Sequence, residues 1–63
     1  MIEIGKRIKK LRAGLGISQG RLAEKLGVSR PTISQIETGE RRICAEELEK
    51  LAEIFNVSVD GFD

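Results

Sequence analysis

The chain has 63 residues, 40% of them hydrophobic and 33% charged, so it can form one small domain (1–63) and is too apolar to be disordered. It contains no His and one Cys, which excludes a disulfide framework and a Cys/His metal site. A Cys or hydroxyl nucleophile would also lack the usual imidazole base. We therefore expect no enzyme, no cofactor and no metal. The net charge of +1 is unevenly distributed, since residues 1–42 hold ten basic and four acidic residues (+6) and residues 43–63 hold one basic and six acidic residues (−5).

Two helices are predicted in the first part of the chain. The first has an apolar stripe formed by Ile4, Ile8, Leu11 and Leu15. Gly14 and Gly16 are expected to stop this helix. Ser18 is a suitable N-cap for a second helix that runs to about Leu26, and Gly27 follows at the site where a left-handed residue is usual.

A third helix opens at Ser29 or Arg30 and is closed by Gly39. Pro31 lies in its first turn, where a missing N–H is not needed. The two N-cap assignments remain open at this point. Pro31 disfavours helical angles at Arg30, whereas Ser29 has the better capping side chain.

The fourth helix shows a strong periodicity, with apolar residues at Leu48, Leu51, Ala52 and Phe55. It begins near Cys44, whose thiol is a weak acceptor and therefore a poor N-cap. Residues 57–63 can form a strand or a short helical turn. Asp60 as a cap and Phe62 as a lid on the core favour the turn.

Helix two, Gly27 and helix three together have the arrangement of a helix-turn-helix, over about residues 18–38. Ala23 is small where the two helices cross, and Ile33 and Ile36 can anchor the second of them. The basic first two-thirds of the chain also points to nucleic acid, although a charge run can be an ordinary solvated face. The plain alternative is a small helical bundle, which needs glycines and small residues for packing alone.

The sequence also matches a known family in several short pieces that occur in the family's order and spacing. These pieces are Ser18-Gln19, Leu22-Ala23, Leu26-Gly27-Val28-Ser29, Ile33-Ser34, Ile36-Glu37 and Gly39. Nearly the whole chain resembles the Cro and phage-repressor type of helix-turn-helix domain, also called the xenobiotic-response-element family. The resemblance implies an all-α, lambda-repressor-like bundle of four to five short helices. It also implies a homodimer on a palindromic operator of double-stranded DNA and a role in transcription, with repression as the expected mode.

The resemblance further implies which residues meet DNA. They are Gln19, Ser29, Arg30, Pro31, Thr32, Ser34, Gln35, Thr38, Arg41 and Arg42. Gln35 matches a base-reading position and can pair with adenine, and Arg30 can bind guanine through two hydrogen bonds. Several family members have a polar residue at the position of Pro31. Because proline cannot donate a hydrogen bond, Pro31 either makes an apolar contact with a base or only provides a rigid start to the helix. Arg12 and Glu37 match a pair that forms a partly buried salt bridge in the family.

Phosphate contacts are expected at both ends of the motif. Gln19 matches a family position that contacts phosphate and can brace a base-reading side chain. Arg41 and Arg42 follow the third helix, where the family commonly meets phosphates, although Glu40 weakens the positive charge there. Thr32 is expected at phosphate or in solvent.

A protein-interaction module of the same fold, such as an antitoxin or a coactivator-like domain with a protein partner, is the rival interpretation. An exposed apolar patch formed by Ile2, Ile54, Val57, Val59 and Phe62 would favour it. The acidic residues of helix four are expected to lie away from DNA, because their carboxylates repel phosphate.

No segment has the features of a membrane or secreted protein. No apolar run approaches the about 20 residues of a membrane helix, and Met1 opens onto charged sequence. A cytoplasmic location in a prokaryotic or phage-type setting, with no membrane partner, is therefore expected.

Overall fold

The computed structural model describes the backbone of residues 2–62 and the side chains of residues 4–60. Within these residues the chain forms four α-helices and a 3-10 turn, with no strand. The elements are α1 (Ile2–Leu15), α2 (Gln19–Leu26), α3 (Arg30–Thr38), α4 (Ala45–Phe55) and the 3-10 turn (Val59–Phe62). The predicted all-α fold is confirmed, and the tail is a helical turn rather than a strand. No helix in this part of the chain is long and apolar enough to cross a membrane.

The end of α1 differs from the prediction in two respects. Gly16 ends the helix with a φ of +71°, but Gly14 lies inside it, so the expectation that Gly14 stops the helix is wrong. Leu15 is 53% exposed and does not belong to the buried stripe. The chain turns at Gly16, and Ile17 packs against the core instead.

Local capping determines where α2 and α3 begin and end. Ser18 caps α2 by accepting a hydrogen bond from the backbone N–H of Arg21 at 3.1 Å, and Gly27 ends α2 with a φ of +81°. Ser29 is the extended N-cap residue of α3, which settles the choice between Ser29 and Arg30. The Ser29 hydroxyl lies 2.9 Å from the Thr32 hydroxyl and makes no capping bond to the backbone.

Cys44 is the extended N-cap residue of α4, as the sequence predicts. The carboxylate of Glu47 accepts a hydrogen bond from the backbone N–H of Cys44 at 3.2 Å, so the glutamate supplies a capping bond. Asn56 ends α4 in the left-handed conformation, with a φ of 55°. The side chain of Phe62, predicted to cover the core, lies outside the described residues.

One core is shared by all four helices. It consists of Ile8, Leu22, Ala23, Leu26, Ile33, Ile36, Leu51, Ala52 and Phe55. Each fully buried Leu or Ile contributes about 1.5–3 kcal/mol relative to an exposed side chain. Because Ile33 and Ile36 are 1% and 2% exposed, α3 is fixed in its rotation about its own axis. Its opposite side therefore faces outward.

Gly5 allows α1 to lie directly against the end of α3. A Cβ atom at this position would collide with the carbonyl oxygen of Ile36 and would lie 2.8 Å from that of Glu37. Cβ atoms in real proteins essentially never lie within 3.0 Å of such an atom, so this crossing requires glycine. The sequence analysis did not single out Gly5.

Candidate nucleic-acid interface

The outward side of α3 carries the residues that the sequence analysis expects to face DNA along this helix. Arg30, Pro31, Gln35 and Thr38 are exposed, and Ser34 is half-buried. These positions repeat at three and four residues and so lie opposite the buried isoleucines. The polar side of α3 is thus free to meet a groove, while its apolar side anchors the helix.

An open depression joins α3 to the start of α2. It is lined by Gln19, Arg30, Pro31, Ser34, Gln35 and Glu40. The side chain of Arg30 lies beside the first turn of α2, since a Cβ atom built on Gly20 would be 3.9 Å from Arg30 Cδ. Five of the ten residues predicted to face DNA therefore share one concave surface. Glu40 also lines it; the sequence interpretation placed this residue between the two arginines and the groove, where it weakens the positive charge.

A buried carboxylate connects this surface to the body of the fold. The side chain of Glu37 is 3% exposed and that of Arg12 is 15% exposed, and Arg12 Nε donates to Glu37 Oε2 at 2.7 Å. Arg12 also donates to Glu37 Oε1 at 3.3 Å and to the backbone carbonyl of Ile17 at 2.9 Å. The ion pair thus links α1, the turn after it and the last turn of α3.

Gln19 joins the same network. Its side-chain nitrogen donates to Glu37 Oε1 at 3.0 Å. Because a carboxylate can only accept hydrogen bonds, the NH₂ group of Gln19 must face Glu37. Gln19 is half-buried, and this hydrogen bond fixes the orientation of its amide group before any partner binds.

Two further hydroxyl groups are held by local bonds. Thr32 is half-buried and shares its hydrogen bond with Ser29, beside the depression rather than in it. Thr38 Oγ1 lies 3.2 Å from the carbonyl oxygen of Gln35 and 3.2 Å from Glu40 Oε1. A hydroxyl has one hydrogen, so it can donate to one of these acceptors at a time.

Arg41 is paired within the protein. Its guanidinium donates two hydrogen bonds to the carboxylate of Glu47, at 3.1 and 3.0 Å, across the start of α4. The hydrogen bond from Arg41, followed by the one from the Cys44 N–H, lowers the pKa of Glu47, and the hydrogen bond with Glu47 raises the pKa of Arg41. Arg42 is exposed, and among the described residues no ion pair holds it. The two arginines therefore differ in their freedom to meet a phosphate.

The exposed charges separate along the fold. Exposed basic residues before α4 include Lys6, Lys9, Lys10, Arg21, Lys25, Arg30 and Arg42, of which Arg21 pairs with Glu24. On α4, Glu46, Glu49 and Glu53 are exposed, and Lys50 is the exposed basic residue of that helix. No group of His, Cys, Asp or Glu residues in the described part of the chain could hold a metal ion.

A sequence model of the helix-turn-helix family matches residues 8–62. An uncharacterized HTH-type transcriptional regulator of Sinorhizobium medicae is 39% identical over 61 residues, which are 97% of this chain and 44% of that protein. The chain therefore spans less than half the length of this curated relative.

Two solved structures have closely similar folds. The restriction-modification controller protein C.AhdI from Aeromonas hydrophila has a TM-score of 0.90 at 27% identity, covering 98% of this chain and 90% of that chain. The P22 c2 repressor, solved in complex with a synthetic operator, has a TM-score of 0.87 at 36% identity, covering 94% of this chain and 89% of that chain.

Proposed function

Because the chain belongs to the Cro and phage-repressor type of the helix-turn-helix family, a family of DNA-binding transcriptional regulators, we propose that it binds a palindromic operator as a homodimeric repressor. In this proposal α3 enters the major groove of double-stranded DNA. The proposed location is the cytoplasm, in a prokaryotic or phage-type setting.

The depression between α2 and α3 is the observation that carries the proposal. It brings Arg30 and Gln35 to one surface, and these side chains have the donor groups that read guanine and adenine. Gln19 lies beside them in a fixed orientation. Pro31 can contribute only apolar contact, such as with a thymine methyl group.

In this proposal, contacts with DNA phosphates surround the depression between α2 and α3. Arg42 is exposed and available, and the hydroxyl groups of Ser29 and Thr32 lie at the start of α3. Arg41 would contact phosphate only by leaving or sharing its bonds with Glu47. We therefore expect Arg42 to contribute more than Arg41 to affinity for all sequences.

The size of the fold supports a dimer. The described chain measures 24 × 23 × 19 Å, whereas successive major grooves on one side of DNA are about 34 Å apart. One copy can therefore cover one half-site, and two copies are needed for two half-sites. The P22 c2 repressor provides a precedent for repression by this fold.

Selection of bound duplexes from a random library tests the proposal. If the dimer neutralises about 6–8 phosphates, the slope of log affinity against log salt should be about −5 to −7. Gln35→Ala should relax base preference at one position of each half-site, and Arg42→Ala should weaken binding to all sequences alike. Lys50→Ala on α4 is the matched control, because it removes the same charge away from the proposed interface. Absence of any duplex binding at low salt, or identical base preferences for Gln35→Ala and Arg42→Ala, would contradict the proposal.

A protein partner, such as a toxin or another regulator, is the second candidate. Val59 is 43% exposed, and with Val57 it lines an open groove at the end of α4. Ile54 is half-buried against the core, and the side chains of Ile2 and Phe62, predicted for the same patch, lie outside the described residues. Two measurements separate the alternatives. Loss of both dimer formation and operator binding in Val59→Asp favours a dimer seam at this groove. A wild-type chain that is folded but binds no duplex favours the interaction module.

A further inference from the structure

Glu40 is an acidic side chain in the surface proposed to meet DNA. It is exposed and lines the depression together with Arg30 and Gln35. A carboxylate close to a polyanion is unfavourable unless it accepts hydrogen bonds from donors. The position of Glu40 therefore restricts what this part of the surface can bind.

The backbone fixes Glu40 next to Gln35. Gly39 turns the chain with a φ of +86°, and the backbone N–H of Glu40 donates to the carbonyl oxygen of Gln35 at 2.9 Å. The residue after the helix is thus folded back over its last turn. The side chains of Gln35 and Glu40 consequently share one side of α3, where both line the depression.

The charge of Glu40 is not neutralised by a neighbour in the described part of the chain. The adjacent Arg41 directs both of its hydrogen bonds to Glu47. The hydroxyl of Thr38 lies 3.2 Å from Glu40 Oε1 and can orient the carboxylate without changing its charge. Glu40 therefore keeps acceptor capacity that faces the same side as the base-reading residues.

DNA offers few donors to such a group. Phosphate oxygens, guanine O6 and N7 and thymine O4 are all acceptors, whereas N4 of cytosine and N6 of adenine are donors in the major groove. We propose that Glu40 is a specificity-determining residue that accepts a hydrogen bond from an exocyclic amino group, beside the base pair contacted by Gln35. This inference rests on the proposed function, since it requires α3 to enter a major groove.

The experiment compares operators selected from a random duplex library by the wild type, Glu40→Ala and Glu40→Gln. Wild-type operators should show a base preference at one position per half-site, next to the position that depends on Gln35. Every base pair presents one amino group in the major groove, from cytosine or from adenine, so the selected pair and its orientation identify the amino group. Glu40→Ala should reduce that preference about 5- to 150-fold and leave the other positions unchanged. Glu40→Gln keeps one acceptor oxygen and should retain part of the preference. Glu49→Ala is the matched control, because it removes the same charge from exposed α4 and should leave the preferences unchanged.

Three results would overturn the role proposed for Glu40 or the function on which it rests. If Glu40→Ala binds every duplex more tightly and selects the same bases as the wild type, Glu40 only repels phosphate and the inference is wrong. A wild type that selects no duplex at all would overturn the proposed function and this inference together. A wild type that selects an operator with no preference beside the Gln35 position would overturn the inference alone.

Discussion

Replacing Arg12 by Met leaves the carboxylate of Glu37 buried without its ion-pair partner. The carboxylate side chain is 3% exposed, and in the native protein it accepts two hydrogen bonds from Arg12 and one from Gln19. Removing one partner of a buried pair costs about 3–5 kcal/mol. A domain of this length is stable by only about 3–9 kcal/mol, so Arg12→Met should lose much of its folding stability.

Urea denaturation followed by circular dichroism measures this loss. The double variant Arg12→Met/Glu37→Met removes both charges and should recover to within about 1–2 kcal/mol of the wild type, because apolar replacement of a buried pair is often neutral. Arg21→Met is the control. The pair of Arg21 with Glu24 is 3.4 Å long with side chains 62% and 71% exposed, and its loss should change stability by less than about 0.5 kcal/mol. If Arg12→Met costs less than about 1 kcal/mol, or if the double variant is no more stable than Arg12→Met, the account of the buried pair is wrong.

The glycines of α1, the N-cap of α4 and the pair of Glu47 with Arg41 can each be tested by substitution. Gly14→Ala should stabilise the protein by about 0.5–1 kcal/mol, because an added Cβ atom at this position has open space. Gly5→Ala should destabilise the protein, because the added Cβ atom collides with backbone carbonyls of α3. Equal melting temperatures for the two variants would contradict this reasoning. Cys44→Ser should raise stability by up to about 1 kcal/mol, since a hydroxyl is a better N-cap acceptor than a thiol, and an unchanged or lower melting temperature would refute the prediction. The pKa of Glu47 is lowered in the folded state by Arg41, so its contribution should be present above about pH 4.3 and be lost as the pH falls through the lower folded pKa. Denaturation of the wild type and Glu47→Gln at pH 7, 5 and 3 should show a difference in stability that is smaller at pH 3 than at pH 5 and 7. A difference that does not depend on pH would contradict this role of Glu47.

Features that depend on neighbouring residues were predictable from the sequence. Ser18 caps α2, and Gly27 and Gly39 take the left-handed conformation that ends α2 and α3. Short-range capping and the spacing of Ile33 and Ile36 therefore defined the helix-turn-helix and the outward side of α3. The same spacing predicted which side chains would share a surface at the start of α3.

Features that depend on the path of the chain beyond a helix, or on contacts between helices, were not predictable in this way. Leu15 continues the apolar spacing of α1, but the chain turns away after it and leaves it exposed. Gly5 is needed only because α3 lies against it, which no local pattern indicates. The pairing of Arg41 with Glu47 depends on how the chain after α3 leads into α4. The assignment of Arg41 to phosphate remains a prediction.

The ion pair of Glu37 has a mechanical consequence for the proposed recognition of an operator. It fastens α1, the turn before α2 and the end of α3 to one buried carboxylate, with Gln19 attached to the same group. The surface between α2 and α3 therefore has little freedom to adapt its shape to a poorly fitting groove. In a complex the DNA would have to supply the bending or twisting that brings its groove into register, and its ease of deformation depends on its sequence. We expect base pairs that the protein never touches to influence operator affinity through their stiffness.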